Sequence, residues 1–231
     1  MKGKLYGIGT GPGDNELLTL KAIKVMEKCH VIAIPNDGNG GRIAFEIVEE
    51  YVSHKPLIEC SFSMDKCKIT RKEARQKVAN DIEDMLKLGK NVGFITLGDP
   101  TIYSTYMYVH KLISARGFET EIISGIPSFV AAAAMLNTSL CEGEESLHII
   151  PVSQKTEQEI EDMLRLSGNK IIMKSGKKFN TILNIIEKLE LSEKTQIVER
   201  CGMINQQIYK DFDKFKDIDN ASYFSIIIVK G

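Results

Sequence analysis

Three short segments of this chain combine glycine with proline, aspartate and small hydroxyl residues. They are Gly9-Thr10-Gly11-Pro12-Gly13-Asp14, Leu97-Gly98-Asp99-Pro100-Thr101 and Ser124-Gly125-Ile126-Pro127-Ser128. Glycine brings backbone N–H and C=O groups within reach of a ligand, and proline fixes the loop that carries them. The first segment, with Gly7 just upstream, invites a nucleotide reading, yet it fits neither common phosphate loop. A dinucleotide fingerprint needs G-x-G-x-x-G; counted from Gly7 the sixth position is Pro12, and from Gly9 it is Asp14. A P-loop ends in Gly-Lys-Ser/Thr, whereas Gly13 is followed by Asp14 and Asn15. An aspartate at the loop exit also opposes a polyphosphate at a helix N-terminus. Taken alone, the loop is equally well a tight strand-to-helix turn with Asp14 as the helix cap.

In the second segment, Gly98 lets a ligand approach the backbone, while Asp99-Pro100 fixes a turn whose carboxylate caps the next helix or meets a cation. In the third, the small residues Ala131 to Ala134 follow, and helix–sheet packing explains them on their own. Together the segments offer glycine backbone, small side chains and few positive charges. That suits a neutral or cationic adenosine-type ligand better than a triphosphate.

The elements that must position these loops follow from hydrophobic periodicity. Apolar runs at 5–8, 31–34, 57–62, 92–97 and 118–123 read as strands, as do 147–152, 170–174, 195–200 and 223–229. Leu18, Ala22, Val25 and Met26 mark one face of a helix, and Ile43, Ile47, Val48 and Tyr51 a second. Ala74, Val78, Ile82 and Met85 mark a third, stopped at Gly89. Further helices are expected over about 101–116, 129–136, 156–166 and 179–189. Strands alternating with helices predict an α/β fold, divided into two α/β domains at 1–122 and 123–231. Each of the three loops leaves a strand, where open α/β sheets bind their ligands.

Composition narrows the function classes. The 231 residues are 43% apolar and 26% charged, with a net charge of −1. No global field favours nucleic acid or an anionic membrane, and the lack of tryptophan gives an RNA-modifying role no support. Five scattered cysteines, with no CxxC pair, fit reduced thiols. Four histidines show no metal-ligand spacing, so no metal site is expected. No Ser-His-Asp or Cys-His constellation points to covalent catalysis. The start reaches its glycines too soon for a signal-peptide core, and no apolar run approaches a membrane span. A cytoplasmic location is expected.

The segments GTGPGD (9–14), LLTLKA (17–22), HVIAIP (30–35), ITLGDPTIYST (95–105) and IISGIPSF (122–129) together resemble the tetrapyrrole (corrin/porphyrin) methyltransferases. The resemblance runs over essentially the whole chain. The N-terminal run through Pro35 looks most like the branch that methylates carbon 20 of precorrin-2 or its cobalt complex, a step of cobalamin synthesis. The uroporphyrinogen branch carries an acidic residue in a Tyr-Asp-Arg segment, where this chain has Pro35-Asn36.

The resemblance implies an S-adenosylmethionine enzyme, with S-adenosylhomocysteine as product. It further implies two α/β domains with a cofactor cleft between them, and a homodimer. Carried over by position, Pro12, Leu97, Gly98, Asp99 and Ile102 would contact the cofactor, joined by Pro127 and Ser128. In the second half Met173 or Lys174, and Cys201 or Gly202, would close over adenine. The carboxylates of such a substrate call for cations, for which Arg42, Lys68, Arg71, Lys174, Lys177 and Lys178 are candidates. Tyr103 and Tyr106 could reach the cleft or serve packing. No residue is singled out as a general base. A sister enzyme acting at another macrocycle carbon, and a non-catalytic S-adenosylmethionine or tetrapyrrole binder, are the alternatives.

Overall fold

The computed structural model describes residues 2–36, 40–62, 68–215 and 222–231. Two compact units divide the chain after Pro127, a few residues beyond the division expected from sequence. The loop that follows the fifth strand stays with the first unit because its backbone is bonded there, as described below.

The first unit holds β1 (Leu5–Gly9), β2 (Val31–Asn36), β3 (Leu57–Ser61), β4 (Val92–Thr96) and β5 (Thr120–Ile123). They form one parallel sheet in the order β3-β2-β4-β1-β5. All five residues of β4 are buried, as expected for a central strand covered on both faces. Successive side chains point to opposite faces, and two clusters result. Leu5, Val92 and Phe94 join α3 (Lys68–Lys87) and α4 (Tyr106–Ala115) in one. Ile8, Ile32 and Ile95 join α1 (Leu20–Lys28) and α2 (Gly40–Val52) in the other.

Helix ends follow local chemistry, with two departures from expectation. The cap of α1 is Thr19, whose hydroxyl accepts from Ala22 N–H at 3.1 Å. Asp14 instead caps a separate 3₁₀ turn, Asn15–Leu17, by accepting from Glu16 N–H at 2.9 Å. The expected helix from 101 begins only at Tyr106, because Asp99–Ser104 is held as a loop. Gly89 ends α3 as expected: at φ +75° it donates to Leu86 O while Lys90 N–H reaches Met85 O, the two-bond C-terminal motif that favours glycine.

The second unit contains α5 (Ser128–Leu136), β6 (Leu147–Pro151), α6 (Glu157–Leu164), β7 (Asn169–Met173), α7 (Phe179–Lys188), β8 (Thr195–Glu199), β9 (Gln207–Tyr209) and β10 (Ser225–Val229). Its sheet runs β6-β7-β10-β8-β9. β6 and β7 are parallel, while β10 is antiparallel to both β7 and β8. Every residue of β10 is buried. Ile172, Ile197, Ile227 and Val229 pack with α6 and α7 on one face. The three-residue edge strand β9 has no counterpart among the expected strands.

Candidate functional site

Strands β4, β1 and β5 are neighbours and parallel, so the loops leaving their carboxyl ends emerge side by side. These are the three glycine segments. Their backbones interlock: Gly98 N–H donates to Gly11 O at 2.6 Å, and Gly11 N–H to Gly98 O at 3.3 Å. The buried Thr10 donates both its N–H, at 2.9 Å, and its hydroxyl, at 3.2 Å, to Thr96 O. A Cβ on Gly9 would lie 2.5 Å from Gly125 N, and one on Gly125 would lie 2.2 Å from Gly98 O. Backbone packs on backbone at this junction and leaves no room for a side chain.

Gly9 and Gly11 of the first loop therefore serve its contacts with the other two loops. Gly7 makes room for the Tyr106 ring, which a Cβ there would strike at 2.1 Å. Gly98 is different. Its φ is +74°, and a Cβ would meet nothing closer than Ile126 O and Pro127 Cα at 4.0 Å. That open side is where the backbone can receive a ligand.

Asp99 ties the second loop to the third. Its Oδ1 accepts from Thr101 N–H at 2.8 Å and from the Thr101 hydroxyl at 2.5 Å, while Oδ2 accepts from Gly125 N–H at 3.0 Å. The carboxylate is 7% exposed, and both its oxygens are occupied by protein donors. It neither caps α4 nor faces a cationic side chain among the described residues. Spacing alone could have signalled the Thr101 bond, since an aspartate two residues before a threonine favours an Asx turn. Nothing in the sequence signals the Gly125 bond.

Around this junction Pro12 is buried, and Leu97, Ile102 and Pro127 are half-buried. Tyr103 holds an unfavourable φ of +52° and is 47% exposed, with partial burial raising its phenol above the usual range. Tyr106 is a core residue: it is fully buried, it bonds Glu121 O and His110 Nδ1, and burial raises its phenol further. Of the two tyrosines, only Tyr103 stands at the loop. Arg42 lies exposed on α2 with its guanidinium on Glu46 at 3.0 Å, one helical turn away. Arg71 is half-buried on α3; the Lys68 side chain lies outside the described residues. His30 is structural, its Nδ1 accepting from Asn91 N–H at 3.0 Å.

In the second unit β7 and β8 both run opposite to β10, so their carboxyl ends share one sheet edge. That edge carries Met173 at the end of β7 and Lys174 just after it, and Cys201 and Gly202 after β8. Backbone in the left-handed region concentrates there: Lys174 at φ +59°, Gly176 at +37°, Arg200 at +51° and Gly202 at +75°. Such conformations cost about 1–3 kcal/mol for non-glycine residues and gather at functional sites. Cys201 is buried with its sulfur 3.4 Å from Met135 Sδ, and burial pushes its thiol up to about 12. Lys177 is exposed and Lys178 half-buried, both on a 3₁₀ turn, Gly176–Lys178, that leads into α7. Ser128 is the first residue of α5.

Among the described residues no group of three His, Cys, Asp or Glu is placed to hold a metal ion. Nor is any helix among them long and apolar enough to cross a membrane.

Comparison with known proteins agrees in sequence and in structure. A family profile described as Tetrapyrrole (Corrin/Porphyrin) Methylases matches residues 4–213. The probable cobalt-precorrin-2 C(20)-methyltransferase of Methanocaldococcus jannaschii is 37% identical over 98% of this chain and 96% of its own length. The cobalt-precorrin-2 C(20)-methyltransferase of Salmonella typhimurium is 29% identical over 99% and 97%. The crystal structure of uroporphyrin-III C-methyl transferase from Thermus thermophilus, complexed with S-adenyl homocysteine, superimposes with a TM-score of 0.72. It covers 99% of this chain and 97% of that one at 15% identity, a likeness of fold.

Proposed function

The chain belongs to the tetrapyrrole (corrin/porphyrin) methylases, and from that premise we propose that it methylates carbon 20 of precorrin-2, with S-adenosylmethionine as donor. The observation that carries the reading is end-to-end similarity to relatives named for that reaction. Both names specify the cobalt complex, which we take as the substrate form. The reaction belongs to cobalamin synthesis.

The loop junction fits the donor. Its three segments carry no lysine or arginine and two aspartates, Asp14 and Asp99, a poor cradle for polyphosphate and an acceptable one for a cationic sulfonium. Gly98 offers backbone with open space beside it. When bound, S-adenosylmethionine supplies a methyl group on a good leaving group. The chain must then align that methyl with a nucleophilic carbon, an effect that contributes about 7–11 kcal/mol at best. In our reading Leu97, Gly98 and Ile102 hold the nucleoside through backbone and apolar contact, with Pro12 and Pro127 beside them. Asp99 acts by fixing the Gly98 and Gly125 loops in register. We also assign Ser128, Met173, Lys174, Cys201 and Gly202 to cofactor binding, a role supported by the family pattern.

The bridging carbon of a precorrin is enamine-like and attacks without a protein nucleophile. Lys174, Lys177 and Lys178 are the cations we assign to substrate carboxylates, with Tyr103 beside the substrate. Arg42 is the weaker assignment, because Glu46 already neutralises it. We further propose a cytoplasmic homodimer that binds neither nucleic acid nor membrane.

The test is incubation with S-adenosylmethionine and either metal-free or cobalt-loaded precorrin-2. Mass spectrometry should show one added methyl, and NMR should place it on carbon 20. Methylation at another carbon would transfer the assignment to a sister enzyme. Binding of S-adenosylhomocysteine without turnover would leave only a binding protein.

A further inference from the structure

The loop that follows β7 reads Lys174-Ser175-Gly176-Lys177-Lys178, and its backbone alternates in hand. The φ angles of Lys174, Ser175 and Gly176 are +59°, −63° and +37°. Alternation of this kind turns successive N–H groups toward one concavity, an arrangement that binds anions. The 3₁₀ turn Gly176–Lys178 continues directly into α7, a ten-residue helix whose N-terminal field favours negative charge. Within the turn Lys178 N–H bonds Ser175 O at 2.8 Å, and Phe179 N–H bonds Gly176 O.

A second, independent feature points the same way. Ser175 is 1% exposed, and its hydroxyl has no hydrogen-bond partner. A buried hydroxyl without a partner has lost its bonds to water and gained none, so the folded chain carries a penalty that a ligand can remove. The space beside Gly176 is open, with nothing within 4 Å of where a Cβ would lie. Lys177 and Lys178 add positive charge on the same turn.

We infer that Ser175, with the N–H groups of Gly176 and Lys177, forms a carboxylate-binding site, charge-complemented by Lys177. This rests on the function proposed above, which provides two sources of carboxylate. One is an acetate or propionate arm of the tetrapyrrole, and the other is the methionine carboxylate of the cofactor. Ser175 is then a ligand-contacting residue, and the lysines around it supply the field.

The experiment compares wild type with Ser175→Ala and Lys177→Gln. It records calorimetric affinity for S-adenosylhomocysteine and for 5′-methylthioadenosine, which lacks the carboxylate, together with KM for cobalt-precorrin-2. Losing a hydrogen bond to a charged group should weaken the affected step about 10- to 100-fold. A rise in KM with unchanged cofactor affinity assigns the site to the tetrapyrrole. Weaker S-adenosylhomocysteine binding with unchanged methylthioadenosine binding assigns it to the cofactor. In either case Ser175→Ala should melt no lower than wild type, since the hydroxyl it removes has no partner in the free chain.

Wild-type behaviour of both variants in all three measurements overturns the site. If the wild type neither binds S-adenosylhomocysteine nor transfers methyl, the functional proposal fails instead. The site is then decided by NMR titration with acetate. Saturable shifts of the Gly176 and Lys177 amides, absent in Ser175→Ala, support it, and their absence in wild type overturns it.

Discussion

Replacing Asp99 by asparagine tests whether this residue works by joining loops. The carboxylate accepts from Thr101 twice and from Gly125 N–H once, at 2.5–3.0 Å, in a site 7% exposed. An asparagine oxygen can keep the Thr101 bonds, but the amide nitrogen then faces Gly125 N–H, donor against donor. One charge-assisted bond is lost, the others become neutral, and a backbone donor is left unpaired. At about 1.5–3 kcal/mol for a bond to a charged group, the expected destabilisation is about 2–4 kcal/mol. For a unit of this size that lowers Tm by roughly 6–15 °C.

The assay is thermal unfolding of the full chain, with hydrogen exchange at the Gly125 amide and calorimetric S-adenosylhomocysteine binding alongside. Gly125 should exchange faster, and affinity should fall by at least about tenfold, or ~1.4 kcal/mol. A Tm within about 2 °C of wild type and unchanged Gly125 exchange, combined with lost affinity, would refute the argument. Asp99 would then act on the cofactor directly.

Three further outcomes are expected. Gly125→Ala should fail to give folded protein, because its Cβ falls 2.2 Å from Gly98 O; Gly98→Ala should fold with a loss of about 1–2 kcal/mol from its positive φ and lose S-adenosylhomocysteine binding, as circular dichroism and calorimetry would show. Thr19→Ala should cost about 1 kcal/mol in denaturant unfolding, and Asp14→Ala clearly less, since Thr19 caps the nine-residue α1 while Asp14 caps only a three-residue turn. Among the described cysteines, Cys141 alone should be alkylated by iodoacetamide at pH 8, as peptide mass mapping would show. Burial holds the Cys29, Cys60 and Cys201 thiols at about 12, leaving almost no thiolate at that pH.

The strands are legible because central strands buried on both faces are written as short apolar runs; VGFIT and SIIIV lie at the centres of their sheets. β9 is not, because its edge position leaves Ile208 40% exposed and removes any pattern. The start of α4 is misplaced from sequence because Tyr103 sits at helical spacing from Tyr106, whereas Asp99 and a left-handed Tyr103 hold the intervening chain open. Loop positions at the candidate site could be read from glycine and proline. The function of those glycines could not. That Gly9 and Gly125 exclude each other's side chains is a relation between residues far apart in sequence, and one chain read alone carries no trace of it. The unpartnered Ser175 hydroxyl is equally invisible without coordinates.

The strand orders have a consequence for how the chain acquires its shape. β1 sits between β4 and β5, although in the register Leu5 pairs with the distant Val92 on one side and the still more distant Thr120 on the other; β10 likewise lies between β7 and β8. During synthesis the first strand must wait for both its neighbours, and β7 and β8 remain unjoined until β10 emerges. Contacts this distant in sequence slow folding, because loop-closure entropy is spent before pairing compensates it. In the interval, the unpaired edges of β1, and later of β7 and β8, are open to other chains. The protein should therefore depend on dilute, slow expression or on chaperones far more than its final, fully paired centres imply.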